Sequence, residues 1–367
     1  MRVVSVSLRD FRSYHDANAS LGDGLTVVSG PNGAGKTNLL EGLYFGCTGR
    51  SCRTANERQV VRFGASLTRL VVTTSAEDGA HELSTGFEPG QPKRFTVDGA
   101  SVERLIDAPA RPLVGVFLPD RLELIKGPPA LRRAQLDQFV AALWPARGVT
   151  RRAYGQALAQ RNALIARIRS GRGSAAALPS WDMQLARHGI ALMGDRRHAL
   201  DTIAQEYARI GSALGLDGEL SVSYRPRSTA AEAEQLAAEL AERVGQDVER
   251  GFTGHGPHRD ELAVSLDGRD LRAFGSQGQQ RVALLALLLA ERDAIALHRG
   301  EAPLMLLDDV MSELDRIRRE ALIELLLAQP GQSVITTTDL EHVPGASGDH
   351  VVRIHVAGGV VREEAVV

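Results

Sequence analysis

The chain opens on an alternating segment, Val3 to Leu8, whose apolar positions recur every second residue, as in a strand with one buried face. A solidly apolar stretch, Leu25 to Ser29, comes next, and then a helix-like run from Asn38 to Phe45. Short strand patterns succeed one another at Arg69–Thr73, Glu82–Gly86, Lys93–Val97 and Leu113–Leu118, the third closed by an Asp98-Gly99 turn. From Pro119 to about Gly218 the period changes. Leu131, Leu136, Phe139 and Leu143, then Tyr154, Leu158, Leu164, Ile165 and Ile168, recur at helical spacing, and helices are predicted again over Trp181–Leu214 and Thr229–Arg250. No heptad pattern is sustained, which predicts a compact helical lobe rather than a long coiled coil. Strand character returns at Glu261–Leu266 with an Asp267-Gly268 turn. An apolar helix, Val282–Ala290, and buried strands at Pro303–Leu307 and Ser333–Thr338 complete the pattern. The expectation is an α/β head with a mixed sheet, built from residues 1–118 and 251–367, into which a helical arm, residues 119–250, is inserted.

The 367 residues, 43% hydrophobic and 24% charged, have the composition of a globular protein. The longest apolar run, Val282–Ala290, is too short for a membrane span. Arg2, Arg9 and Asp10 leave no room for the apolar core of a signal peptide in the first ten residues. Cys47 and Cys52 alone cannot make a disulfide framework or a four-cysteine zinc site, so a reducing cytoplasm is expected. The net charge of −2 hides an asymmetry: residues 121–173 hold eleven Arg or Lys against Glu123 and Asp137. Such a surplus suits phosphate-backbone contact, and Arg132, Arg133, Arg151 and Arg152 are the candidate nucleic-acid contacts.

Three motifs carry chemistry. Gly30-Pro31-Asn32-Gly33-Ala34-Gly35-Lys36-Thr37 fits G-x-x-x-x-G-K-[ST] between a strand and a helix, the setting in which backbone N–H groups surround a phosphate. Lys36 can reach the terminal phosphates, and the Thr37 hydroxyl can ligate Mg²⁺. Ser276-Gln277-Gly278-Gln279 opens the apolar helix with small and polar residues, a second anion site at a helix N-terminus. Asp308 and Asp309 cap an apolar strand. Burying two like charges is costly without a cation, so Asp308 is assigned to Mg²⁺ and Asp309 to the attacking water. His255, His258 and Asp260 lack a third convergent ligand type and fit a hydrogen-bonded turn better than a metal site.

The order of these motifs resembles the ABC-type ATPase heads of the SMC and Rad50 class, and more closely the RecF family of bacterial recombination mediators. The carrying residues are Phe11-Arg12-Ser13-Tyr14, Gly30 to Asn38, Thr48-Gly49-Arg50-Ser51, Leu118-Pro119-Asp120, Ile125 to Pro129, Arg132-Arg133, Gly256 to Asp260, Ser276 to Arg281 and Leu306 to Asp315. The resemblance implies an ABC-type P-loop head (lobe I) with a helical lobe II. It also implies a homodimer formed with ATP and Mg²⁺, in which Ser276, Gly278 and Gln279 of one copy close on the other's nucleotide. Asn38 and Arg12 would approach that nucleotide. The implied partners are DNA at single-strand gaps, RecO and RecR, with RecA loading as the outcome and no membrane. Two departures stand out: Asp309 replaces the Glu of transporter heads, which predicts slow hydrolysis, and the switch His is replaced by Thr336, Thr337 or Thr338. An ATPase subunit of a membrane transporter and a Rad50-like head of a nuclease complex are the alternatives.

Overall fold

The computed structural model describes residues 1–364, the side chains of Asp107, Pro119 and Asp120 excepted. The chain divides into two compact units, Met1–Arg121 with Ile295–Val367, and Leu122–Ala294.

The first unit holds two sheets. Strands β1 (Arg2–Phe11), β2 (Tyr14–Ser20), β4 (Thr68–Ala76), β5 (Gly79–Phe87), β6 (Arg94–Val97) and β7 (Ala100–Val102) form an antiparallel sheet in the order β2-β1-β4-β5-β6-β7. The other is mixed: β3 (Leu25–Ser29), β8 (Val114–Phe117), β12 (Leu304–Leu307), β13 (Ser333–Thr337), β14 (Val352–Ala357) and β15 (Val360–Glu364), in the order β15-β14-β3-β13-β12-β8. All its neighbours run parallel except β15, which returns antiparallel along β14. Helix α1 (Lys36–Thr48) lies against the antiparallel sheet. An added Cβ at Gly42 would come within 2.7 Å of Leu8, and one at Gly46 within 2.5 Å of Val72, so these glycines set the close approach. Leu8, Leu70, Val72, Leu39, Leu43 and Phe45 fill that layer.

The second unit contains α2 (Glu123–Lys126), α3 (Pro129–Leu143), α4 (Gly148–Arg169), α5 (Leu178–Ala213), α6 (Ala233–Glu242), α7 (Val244–Arg250), α8 (Leu271–Phe274) and most of α9 (Gln277–Arg299), with a small sheet of β9 (Leu220–Arg225), β10 (Glu261–Leu266) and β11 (Arg269–Asp270). The remaining helix, α10 (Arg316–Leu327), belongs to the first unit. The one or two helices expected over Trp181–Leu214 form one continuous helix, whereas the one expected over Thr229–Arg250 is two, divided at Arg243. Where the sequence pattern places a return to the head at residue 251, the compact units divide at Ala294/Ile295. The reason is β9, which the helical pattern around it conceals: it pairs with β10 from Glu261–Arg225 to Leu266–Leu220 and keeps that segment with the helices. Among the described residues no helix is long and apolar enough to cross a membrane.

Candidate functional site

The P-loop leaves the carboxyl end of β3, where open α/β sheets present ligand sites. Two glycines are fixed there by sterics. Gly30 has φ 145°, and a Cβ would sit 2.1 Å from the Val356 carbonyl oxygen. Gly35 has φ 119°, and its Cβ would lie 2.8 Å from the Tyr14 hydroxyl, which donates to the Gly35 carbonyl at 2.9 Å. Pro31, Asn32 and Gly33 are exposed at the tip, and Ala34 is buried beneath it. Gly35 caps α1 with no side-chain hydrogen bond, and the first turn carries no acid, so its N–H groups have no side-chain acceptor at the cap.

Lys36 is buried, and its Nζ donates to the Gly30 and Pro31 carbonyls at 2.7 and 3.0 Å. Burial holds its pKa below the usual lysine range, and the Asp309 and Asp308 carboxylates oppose that fall. The Thr37 hydroxyl lies 3.0 Å from each carboxylate oxygen of Asp308. Strand β13 sits between β3 and β12, and Thr336 at its end donates to Asp308 Oδ1 at 2.7 Å and accepts the Asp309 N–H at 2.9 Å. Burial raises the Asp308 pKa, the Thr336 and Thr37 hydroxyls counter it, and the Asp309 charge adds to it. Asp309 has left-handed backbone, φ 47°, uncommon for a residue other than glycine, and Ser312 donates to its carboxylate at 3.0 Å.

Of the three threonines left open by the sequence, Thr336 faces the acids. Thr337 donates to the Asp339 carbonyl at 2.8 Å, and Thr338 is exposed. The residues fit the implied groups. Glycines and an uncapped helix start suit a phosphate chain, and a hydroxyl beside a carboxylate is the hard oxygen set Mg²⁺ prefers.

Arg12 lies against the P-loop helix. Its guanidinium clamps Glu41 through Nε at 2.9 Å and an Nη at 2.7 Å, and donates to the Gln59 carbonyl at 2.9 Å. Glu41 is 1% exposed, a buried acid that also accepts from Ser51 and Arg53. Asn38 joins the same cluster, donating to Ser13 and accepting from Arg53, each at 3.0 Å. The sequence reading missed Glu41, although a single acid inside Leu39-Leu40-Glu41-Gly42-Leu43 was its signal.

In the second unit, Ser276 and Gln279 close a capping box at the start of α9: the Gln279 N–H donates to the Ser276 hydroxyl at 3.2 Å, and the Ser276 N–H to the Gln279 side-chain oxygen at 2.8 Å. Ser276, Gln277 and Gly278 are exposed, while Gln280 is buried and bonded to the Leu271 and Gly275 carbonyls.

The candidate DNA contacts do not all reach the surface. Arg132, 4% exposed, pairs with Glu261 at 2.8 Å and donates to the Ile125 and Gly127 carbonyls, so it ties α3 to β10. Arg133, partly buried, donates to the Asp260 carbonyl at 2.7 Å. Arg151 is exposed but 3.2 Å from Asp137, and Arg152 is exposed. Arg161, counted in the basic surplus, is fully buried against Asp182, Asp247 and Thr253. His255 meets Glu239 at 2.6 Å. The His258 Nε2 donates to the Thr253 carbonyl, which leaves Nδ1 to accept from the Tyr154 hydroxyl at 2.7 Å. Burial pushes the His258 pKa down to about 4.

Comparisons with known proteins bear on the fold and the family. Residues 5–98 match the model of the AAA domain family. A DNA replication and repair protein RecF from an Anaeromyxobacter species is 37% identical over 98% of this chain and 99% of its own length. Among solved structures, the recombination mediator protein RecF with ATP superposes with TM-score 0.88 at 26% identity, covering 99% of this chain and 98% of that one. An SMC head bound to the winged-helix domain of ScpA, 16% identical, has TM-score 0.61 and shares the fold.

Proposed function

This chain belongs to the RecF family of DNA replication and repair proteins, and from that premise we propose that it is an ATP-driven switch that closes as a head-to-tail homodimer on DNA at single-strand gaps. The observation that carries the reading is the convergence of an uncapped helix start, Lys36, and the Thr37 hydroxyl 3.0 Å from Asp308. In this reading the amides of Gly30 to Thr37 and the side chain of Asn38 hold the phosphates of ATP, Lys36 reaches the terminal ones, and Thr37 and Asp308 hold Mg²⁺. Mg²⁺, when bound, supplies charge neutralisation at the phosphate oxygens. Asp309 orients the attacking water, and its short side chain keeps hydrolysis slow enough for ATP to act as a switch. Ser276, Gly278 and Gln279 of the second copy complete the site, so loss of the γ-phosphate removes the contacts that favour closure. Arg151, Arg152 and the partly buried Arg133 contribute phosphate-backbone contact; Arg132 acts by holding the fold together. A relative solved with ATP belongs to the RecFOR pathway, which supports RecO and RecR as partners.

The test is nucleotide-dependent binding to duplex, single-stranded and gapped DNA in parallel. ATP with Mg²⁺ is expected to favour the gapped duplex. Binding that ignores nucleotide on all three DNAs would contradict the proposal.

A further inference from the structure

The arm was expected to supply the DNA surface, yet the most regular array of cations lies on the antiparallel sheet of the first unit. Arg9 on β1 pairs in register with Arg69 on β4, Arg69 with Gly86 on β5, and Gly86 with Arg94 on β6. The flanking residues fix the face: Leu8 and Leu70 are buried in the layer shared with α1, so side chains alternate and the three arginines lie on the opposite side. All three are exposed. Gly86 leaves the row open between Arg69 and Arg94, where a Cβ would find only Arg94 atoms, at 3.9 Å.

Arg9 and Arg69 stand directly opposite each other, an arrangement of like charges that destabilises a sheet. Neither they nor Arg94 form an ion pair among the described residues, and the neighbouring Asp10 is taken by Arg62 at 2.7 Å. Asp16, the cross-strand partner of Arg9, is the one acid in the row. The adjacent row on the same face reads Asn18, Ser7, Val71, Ser84 and Thr96, of which Ser84 is buried and accepts from the Arg69 Nε at 3.3 Å. Amide and hydroxyl groups beside arginines form the donor set that contacts phosphate backbones. Large aromatic anchors, which protein interfaces concentrate at their centres, are missing from both rows.

We propose that this outer sheet face is a DNA-backbone contact surface, with Arg9, Arg69 and Arg94 each meeting a phosphate. A phosphate lying between Arg9 and Arg69 relieves the like-charge pair, which explains why the fold keeps it. The inference rests on the DNA-binding reading above and adds Arg9, Arg69 and Arg94 to the contacts assigned there.

The experiment measures fluorescence anisotropy of a labelled duplex against full-length protein with ATP and Mg²⁺ across a salt series. It compares wild type, Arg9→Gln/Arg69→Gln/Arg94→Gln, the same triple to Lys, and Arg151→Gln/Arg152→Gln. Each lost phosphate contact lowers the slope of log affinity against log salt by about 0.9, so the Gln triple is expected to lose about 2.7 and the Lys triple to keep most of it. Thermal midpoints show whether the Gln triple stays folded. If it does not, Arg69→Gln alone, which removes one member of the like-charge pair, is expected to keep or raise the midpoint and lower the slope by about 0.9. A folded triple with the wild-type slope, or one that binds DNA normally but loses an acidic partner protein, overturns the surface. A wild type that binds no DNA overturns the functional reading instead.

Discussion

The two helix starts assigned to nucleotide are finished differently. Helix α1 begins at Gly35 with no side-chain cap, beneath an exposed loop tip, while α9 begins at Ser276 with its cap already closed by Gln279. The contrast extends to the surroundings of each. Around α1 a lysine, two threonines and two acids converge on one end of the mixed sheet, and the strained Asp309 backbone is held there. In the second unit the polar groups close on themselves: Arg161 with two aspartates, Arg196 with Asp137, His258 with Tyr154 and Thr253. A helix start left uncapped inside a well-packed fold points to an external acceptor. One that caps itself is stable alone and exchanges its partners only when a better anion arrives.

The largest effect that tests this contrast is loss of the P-loop cation. Lys36→Met removes a preorganised donor from the phosphate site, and ATP hydrolysis is expected to fall about 10²–10³-fold with the thermal midpoint preserved. Unchanged turnover would detach the P-loop from the chemistry.

The self-contained polar core of the second unit is tested by pH. His258 is held neutral, with a pKa of about 4 against 6.5 for an ordinary histidine. The unfolded chain takes up a proton that the folded site refuses, so stability declines as pH falls from about 6.5 towards 4, by at most roughly 3 kcal/mol, and levels below that. The difference in unfolding free energy between wild type and His258→Gln, measured at pH 7 and pH 5, should shrink at the lower pH; a constant difference would contradict it.

Smaller still is the effect of the hydroxyl bridging the two acids. Thr336→Val leaves the Asp309 N–H and Asp308 without that partner and should cost about 1–3 kcal/mol, while Thr336→Ser should restore most of it. Chemical denaturation of both variants would show this, and equal stability of Val and Ser forms would dismiss the bridge. The mildest change is Ser276→Ala, which opens the cap of α9 at about 1 kcal/mol.

The P-loop and the Asp308-Asp309 strand were legible from sequence because their chemistry is local: the glycines, the lysine and the apolar strands that frame them are contiguous in the chain. Strands β1, β3, β4, β5, β6 and β10 followed from apolar periodicity for the same reason. Strand β9 did not, because six residues between helices form a strand only when β10 is alongside to pair with them. Thr336 could not be separated from Thr337 and Thr338 by sequence, since facing is decided by the neighbours of β13. The arginine surplus overstates the exposed charge for a similar reason. Charge counted along the chain ignores burial, and Arg132 and Arg161 serve the interior, whereas the row of Arg9, Arg69 and Arg94 is scattered in sequence and assembled by strand register.

The account turns on closure of α9 from one copy over the P-loop of another, and the most direct measurement is the solution mass by light scattering with and without saturating ATP and Mg²⁺, for wild type and Ser276→Arg. Wild type should double in mass with nucleotide, and Ser276→Arg should bind nucleotide yet stay monomeric. A wild type that remains monomeric with ATP and Mg²⁺, or a variant that dimerises equally well, would contradict it.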